Sequence, residues 1–477
     1  MTYKGQIQGS RLRKHIFTSL LVLLPLFATV VNGQSKGLRA PPGEQPVLHE
    51  IVQQISPDRL ESDVRTLVNF GTRHSLSQTK SKSRGIGAAR GWIQSQFEQI
   101  SRDCGTCLEV RKQTLVVQGE KRVPGPTEIV NILAIQRGAT DPDRYVIITG
   151  DIDSRVSDVM DASSDAPGAN DNASGIAAVL ETARVLSQYK FSASIVYAAL
   201  SGEEQGLFGG KAMAGKAVED GWRIDAVLNN DMIGNIEGIN GVIDNTHARI
   251  FSEGTRAVET PEEAVLRRFQ GGEVDSASRN LARYVDQLAD KYVPNLDTML
   301  IYRLDRFSRG GHHRPFNEMG FPAVRIMEAN ENYNRQHQDV RVENGVSYGD
   351  VISGVNFAYA AKITALNAIA LASLAWAPPA PTGVTISGAV SADTSLSWES
   401  PARRVAPHLA GYRIYWRLTD SPVWTHSVYA GSVDSFVLKN LVIDNYFFGV
   451  AAVSQTGFES PVVFPGPAGA FGNKAGE

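Results

Sequence analysis

The chain has 477 residues, a formal net charge of -3, 42% hydrophobic and 20% charged residues. This is the composition of a globular protein long enough for two or three domains. It excludes a disordered or collagen-like chain, and the near-neutral balance gives no overall pull toward nucleic acid or anionic lipid.

The extreme N-terminus departs from this average. Lys4, Arg11, Arg13 and Lys14 precede the apolar run "IFTSLLVLLPLFATVV". A charged segment followed by a short apolar one reads as a secretory signal peptide over residues 1–33, cleaved after Gly33. Pro25 interrupts the run, which is shorter than the ~20 residues a spanning helix needs. An uncleaved anchor is the alternative. Either way the remainder is expected to be exported, to the periplasm or the extracellular space, with no stable membrane span after cleavage.

Residues 34–46, containing "KGLRAPPGEQP", read as a linker. In "SPDRLESDVRTLVNF", Ser56 is the expected N-cap and Pro57 the first helical residue. A second helix, "GIGAARGWIQSQFEQI", places Ile86, Ala89, Ile93 and Phe97 near one face. Cys104 and Cys107 follow it in "DCGTCLEV". A redox-active pair of this spacing would open a helix after a strand. This pair ends a helix and precedes a strand, so a structural disulfide is expected, which export permits.

Strands and helices then alternate. The strand-like runs are "LEVRKQTLVV", "EIVNILAI", "RYVIITG", "ASIVYAALS", "DAVLNNDMI" and "PAVRIME". Helical runs include "SGIAAVLETARVLSQ", "ASRNLARYVDQLADKY" and a long one from Asp350 to about Trp376. Apolar strands between helices predict an α/β domain over residues 47–376: a three-layer α/β/α sandwich around a mostly parallel mixed sheet. The segment from about 245 to 275 is a candidate wall or lid.

A linker at 377–383 leads to short alternating strands. Residues 384–468 predict an all-β, Ig-like sandwich with Trp398, Tyr415 and Tyr446 as core aromatics, then a tail at 469–477. The runs "SLSWES", "GYRIYWR" and "LKNLVIDNYFFGVAAVSQTGFESP" resemble a fibronectin type III domain. Such domains commonly serve as spacers or adhesion modules, so a surface or polymer ligand is a candidate partner.

In an open α/β sheet, ligands bind beyond the carboxyl ends of the strands. Asp151 and Asp153 follow "RYVIIT"; Asp171 lies in "PGANDNASG"; Glu203 and Glu204 follow "SIVYAAL"; Asp231 follows "AVLNN"; His337 lies beyond "PAVRIME". Each alone has an ordinary reading as a cap, a solvated loop acid or a surface histidine. Gathered at one sheet edge they would repel one another unless divalent cations compensate.

The motifs "PGANDNASG", "SGEEQGLFGG" and "LNNDMIG", with "VNFGTRHS", "GIGAARGWI" and "GGHHRPFNEMGFPAVRIME", resemble the co-catalytic di-zinc aminopeptidase family. That family includes secreted bacterial leucyl aminopeptidases, glutamate carboxypeptidase II and glutaminyl cyclase. The resemblance implies two divalent ions, zinc expected. Asp171 would bridge them; Glu204 and His337 would complete one site; Asp231 and Asp151 would complete the other. Glu203 would be the general base, taking a proton from a metal-bound water and returning it to the leaving amine.

Three departures stand out. The family has His-x-Asp where this chain has Asp151-Ile152-Asp153, so Asp153 has no imidazole to orient. The first site becomes all oxygen and leans toward manganese or magnesium, or stands empty. Arg155 is a candidate counter-charge for the two aspartates. Second, "RGGHHRPF" carries His312-His313 where the family often has Asp-His. If the loops meet, His312 supplies an imidazole or pairs with Asp151. Third, Gln336 precedes His337 where many members have tyrosine, and Tyr333 lies nearby in sequence.

The leading expectation is a secreted metallo-aminopeptidase acting on peptide substrates. The alternative is a catalytically impaired binding or adhesion protein on the same scaffold. A carboxypeptidase or a cyclase is a third option.

Overall fold

The computed structural model describes residues 38–471. The expected signal peptide and the end of the tail lie outside them, as do residues 34–37 of the first linker.

Eight strands form one mixed sheet. In chain order they are β1 (Leu108–Val117), β2 (Thr127–Gln136), β3 (Asp141–Asp151), β4 (Ala193–Leu200), β5 (Arg223–Asn230), β6 (His247–Ser252), β7 (Asp297–Ile301) and β8 (Ala323–Glu328). Their order across the sheet is β1-β2-β4-β3-β5-β8-β6-β7. The four central strands, β4, β3, β5 and β8, run parallel, while β2 and β6 join their edges antiparallel.

Burial on both faces explains why the central strands are unbroken apolar runs. Val146 and Ile148 of β3 point into one core, with the helices Gly85–Asp103, Gly175–Leu186, Ala277–Tyr292 and Phe357–Trp376. Tyr145 and Ile147 point the other way, against Met213, Ala214 and Phe316. These are the three expected layers. Ile86, Ala89, Ile93 and Phe97 are all fully buried, and the Ser56 hydroxyl accepts from the Arg59 amide as the expected cap. The helix Phe357–Trp376 is apolar and long enough to cross a membrane, yet its inner turns are packed in this core. Cys104 and Cys107 are joined in a disulfide.

Two glycines fix the approach to the sheet edge. A Cβ on Gly150 would stand 2.7 Å from the Gly175 carbonyl carbon, and one on Gly175 would stand 2.5 Å from the Asn230 carbonyl oxygen. Absence of both lets the helix from Gly175 start directly over the ends of β3 and β5.

The C-terminal strands make two three-stranded antiparallel sheets. Trp398 is buried as expected, but its ring partner is Tyr412, at 5.1 Å between centroids. Tyr415 lies three residues on, so the two-residue period turns it to the opposite face. There its hydroxyl donates to Glu459. This face of the sandwich is docked on the α/β domain. Asp275, fully buried, accepts from Arg417 Nη2 at 2.8 Å and from Arg283 Nη1 at 3.0 Å. Trp424 Nε1 donates to Asn280, and Arg256 Nη1 to the Pro467 carbonyl. The segment expected as a wall or lid therefore turns part of its length toward the sandwich. It contains β6 and a helix, Pro261–Gln270, closed by a Thr260–Glu263 capping box.

Asp275→Asn would strand two buried guanidinium groups. Breaking a buried pair from one side costs about 3–5 kcal/mol. We expect a lowered urea midpoint for the whole of the described chain, with sandwich and α/β domain losing stability together.

Candidate metal centre

The four parallel strands carry the expected acids to one edge. Asp151 is the last residue of β3 and Asp231 follows β5. After β4 the chain turns at Gly202, whose φ of +75° needs no side chain, and enters the short helix Glu203–Gly206. Asp171 lies in the loop just before the helix at Gly175. Its amide and that of Asn170 are clamped by the two oxygens of Asp350, at 2.7 and 2.8 Å.

Asp171, Glu204 and His337 converge. His337 Nε2 lies 2.9 Å from Asp171 Oδ2 and 2.9 Å from Glu204 Oε1. These are the side chains, among the described residues, that cluster as ligands for a metal ion. His337 adopts φ +53°, a left-handed conformation uncommon outside glycine and frequent at functional sites. The donor set suits zinc, whose bonds of about 2.0–2.2 Å would space tetrahedral donors by about 3.3 Å. The two His337 spacings are a few tenths of an ångström short of this, and all three donors lie within 4.8 Å of one another, so these residues fit the ion.

Around this cluster the roles differ from several expectations. Asp153 orients backbone: it accepts from the amides of Glu203 at 3.2 Å and Glu204 at 3.0 Å, and from Ser75 Oγ at 3.1 Å. It thereby holds both glutamates at the strand end. Arg155 compensates neither Asp151 nor Asp153. Its Nε donates to Glu204 Oε2 at 2.8 Å, and its Nη2 lies 2.7 Å from His337 Nδ1. Gln336, which stands where the resemblance leads one to expect tyrosine, donates to Asp171 Oδ2 at 3.3 Å. Tyr333 is more than half exposed.

Asp151 and Asp231 have other partners. His312 meets Asp151: its Nδ1 lies 2.5 Å from Oδ1, while Asn172 Nδ2 donates to Oδ2 at 2.8 Å. Burial pushes His312 down to about 4, and burial and then Asp153 hold the Asp151 carboxyl well above the usual carboxylate range, so the pair shares a proton in a hydrogen bond. His313 faces the Leu304 carbonyl and Asp305 instead. Asp231 Oδ2 lies 2.7 Å from Nη2 of Arg325, a fully buried residue of β8. The residues expected at a first metal position thus do not present a free donor set, and they do not fit an ion there. Arg325 was not among the candidates. Its signal is a cation inside the otherwise apolar stretch of "PAVRIME" that ends at Glu328.

The electrostatics follow from crowding. Burial, then Glu204, Asp231, Asp151 and Asp171, hold the Glu203 carboxyl well above the usual carboxylate range. Burial pushes Asp231 up to about 7, with Arg325 pulling the other way. His337 is pushed up to about 9: Glu204 and Asp171 outweigh its burial.

Comparisons with known proteins identify two families along the chain. Residues 131–344 match the model of peptidase family M28, and residues 379–465 that of the fibronectin type III domain. A "probable zinc metalloprotease" of Leptosphaeria maculans is 41% identical over 427 residues, 89% of this chain and 98% of that protein. One of Pyricularia oryzae is 40% identical over 88% of this chain and 84% of that protein. Among solved structures, the Legionella pneumophila LapA aminopeptidase superposes with a TM-score of 0.50 at 19% identity, over 71% of this chain and 77% of that one. Legionella LapB gives 0.50 at 18%, over 70% and 76%. At these identities the likeness is one of fold.

The raised His337 sets a pH dependence. In the metal-free protein its ion pairs with Asp171 and Glu204 stabilise the fold fully below about pH 6.5, the unperturbed value. That contribution is lost as pH rises through about 9. Zinc needs the Nε2 lone pair, so its binding runs the opposite way. Apparent zinc affinity should climb by up to about tenfold per pH unit below the His337 value and level off above it. Chelator-competition titrations would read this slope, and His337→Ala should lose both affinity and slope.

Proposed function

Because the chain belongs to peptidase family M28 and carries a fibronectin type III domain, we propose that it is an exported, zinc-dependent exopeptidase that removes N-terminal residues from peptides. The observation that carries the reading is the convergence of Asp171, Glu204 and His337 beside Glu203. A zinc ion held by those three side chains would polarise the scissile carbonyl and acidify the attacking water.

Glu203 does the proton work. It is fixed to the ligand Glu204 by adjacency, and Asp153 pins both amides, so the base cannot drift from the metal ligands. Its raised proton affinity suits a group that must take a proton from water and then give it to the leaving amine. Arg155, on the far side of Glu204, holds that carboxylate in place. The fold shared with the LapA aminopeptidase supports the choice of the N-terminal end. The Cys104–Cys107 disulfide supports an oxidising, extracytoplasmic location.

One observation favours a second reading, a non-catalytic binding protein on this scaffold. Asp231 is already paired with the Arg325 guanidinium, and both oxygens of Asp151 are already in hydrogen bonds, with His312 and Asn172. A panel of aminoacyl-nitroanilides, assayed with added zinc, separates the two readings: turnover supports the peptidase, and no turnover at full zinc occupancy supports the binding protein. In the peptidase, Glu203→Gln should lower kcat by about 10²–10⁴-fold, the usual contribution of a positioned base, and leave zinc content unchanged. Wild-type turnover in that variant would remove Glu203 from the mechanism.

A further inference from the structure

We propose that Arg325 is a built-in cation standing where the resemblance calls for the first metal ion, so that this chain binds one divalent ion rather than two. The inference rests on the reading of Asp171, Glu204 and His337 as a zinc site; the observations that carry it concern other residues.

Arg325 sits in the middle of β8 with no exposed surface. Its Nη2 is 2.7 Å from Asp231 Oδ2. Its Nη1 donates to both oxygens of Asp305 at 3.1 Å and to the Gly310 carbonyl at 2.8 Å. The guanidinium is therefore held from the end of β5 and from the loop before β8, with no solvent to swing into. It keeps its charge under all ordinary conditions. Asp151, the other residue expected to serve only the first ion, has both oxygens engaged by His312 and Asn172. His312 is fully buried, and its Cδ2 lies over Gly210, where a Cβ would come within 2.7 Å. It has no room to retreat either.

These substitutions act together. Aspartate at 151 removes the nitrogen ligand of a zinc site. Histidine at 312 takes up the aspartate that results. Arginine at 325 supplies a fixed positive charge against Asp231, and that charge also reaches Glu203. A dication between Asp151 and Asp231 would have to displace two buried partners and then sit beside a guanidinium. Asp171 is left to serve one ion instead of bridging two.

Metal stoichiometry tests this without recourse to activity. The purified protein is stripped with chelator and titrated with zinc by calorimetry, and its metal content is measured after dialysis. One tight zinc per chain is expected. Asp151→His should still take one, because Arg325 remains on Asp231. Asp151→His combined with Arg325→Met should take two. Two tight ions in the unaltered protein, or in Asp151→His alone, would overturn the inference and leave the zinc site standing. No tight ion in the unaltered protein would overturn both. If the double variant folds, as judged by circular dichroism, and still takes one ion, Arg325 is not what excludes the second. If it does not fold, the unaltered protein and Asp151→His decide.

Discussion

Carboxylates gathered beyond four parallel strand ends must be neutralised, and the rest of the site follows from how. Asp151, Asp171, Glu203, Glu204 and Asp231 are all brought to one rim by β3, β4, β5 and the start of the helix at Gly175. Two unit charges about 4 Å apart repel by roughly 4 kcal/mol at an effective dielectric near 20. Unrelieved, several such pairs would exceed the stability of an ordinary domain. The chain relieves them with Arg155 on Glu204, Arg325 on Asp231, hydrogen bonds of Asp151 with His312 and Asn172, and a cluster of Asp171, Glu204 and His337 that suits a metal ion.

The same arithmetic separates the two metal positions. At the position of Asp171, Glu204 and His337, a dication would meet two carboxylates, each with an oxygen 2.9 Å from the His337 nitrogen, a few tenths of an ångström short of zinc spacing. Between Asp151 and Asp231, a dication about 4 Å from the Arg325 guanidinium would meet roughly 8 kcal/mol of repulsion under the same assumption. Arg325 cannot leave: Asp305 and Gly310 hold its other end inside the protein. Protein cation and metal ion are alternatives at that place.

Much of this was legible in the sequence because burial writes itself into composition. The central strands β3 and β4 are unbroken apolar runs, since both their faces are covered. Gly202, Glu203 and Glu204 advertise a strand end, and "PGANDNASG" a loop into a helix. The His312–Asp151 contact was foreshadowed by two residue types exchanged at two distant places. Other features were not legible. β6 and β7 are short strands at the sheet edge, specified by their pairing more than by their own pattern. The task of Asp153 depends on which amides reach it, which no spacing reveals. Arg325 was visible as a charge in an apolar strand, but its meaning depends on Asp231 and Asp305 arriving from elsewhere in the chain. The sandwich was expected behind a linker. Its docking through Asp275, Arg283 and Arg417 needs buried charges from both domains to meet, and neither segment announces the other.

Anomalous-difference density at the zinc absorption edge, from crystals grown in excess zinc, tests the central claim most directly. The account predicts one peak, coordinated by Asp171, Glu204 and His337, with Arg325 still on Asp231. A second peak between Asp151 and Asp231, or density that leaves His337 uncoordinated, would contradict it.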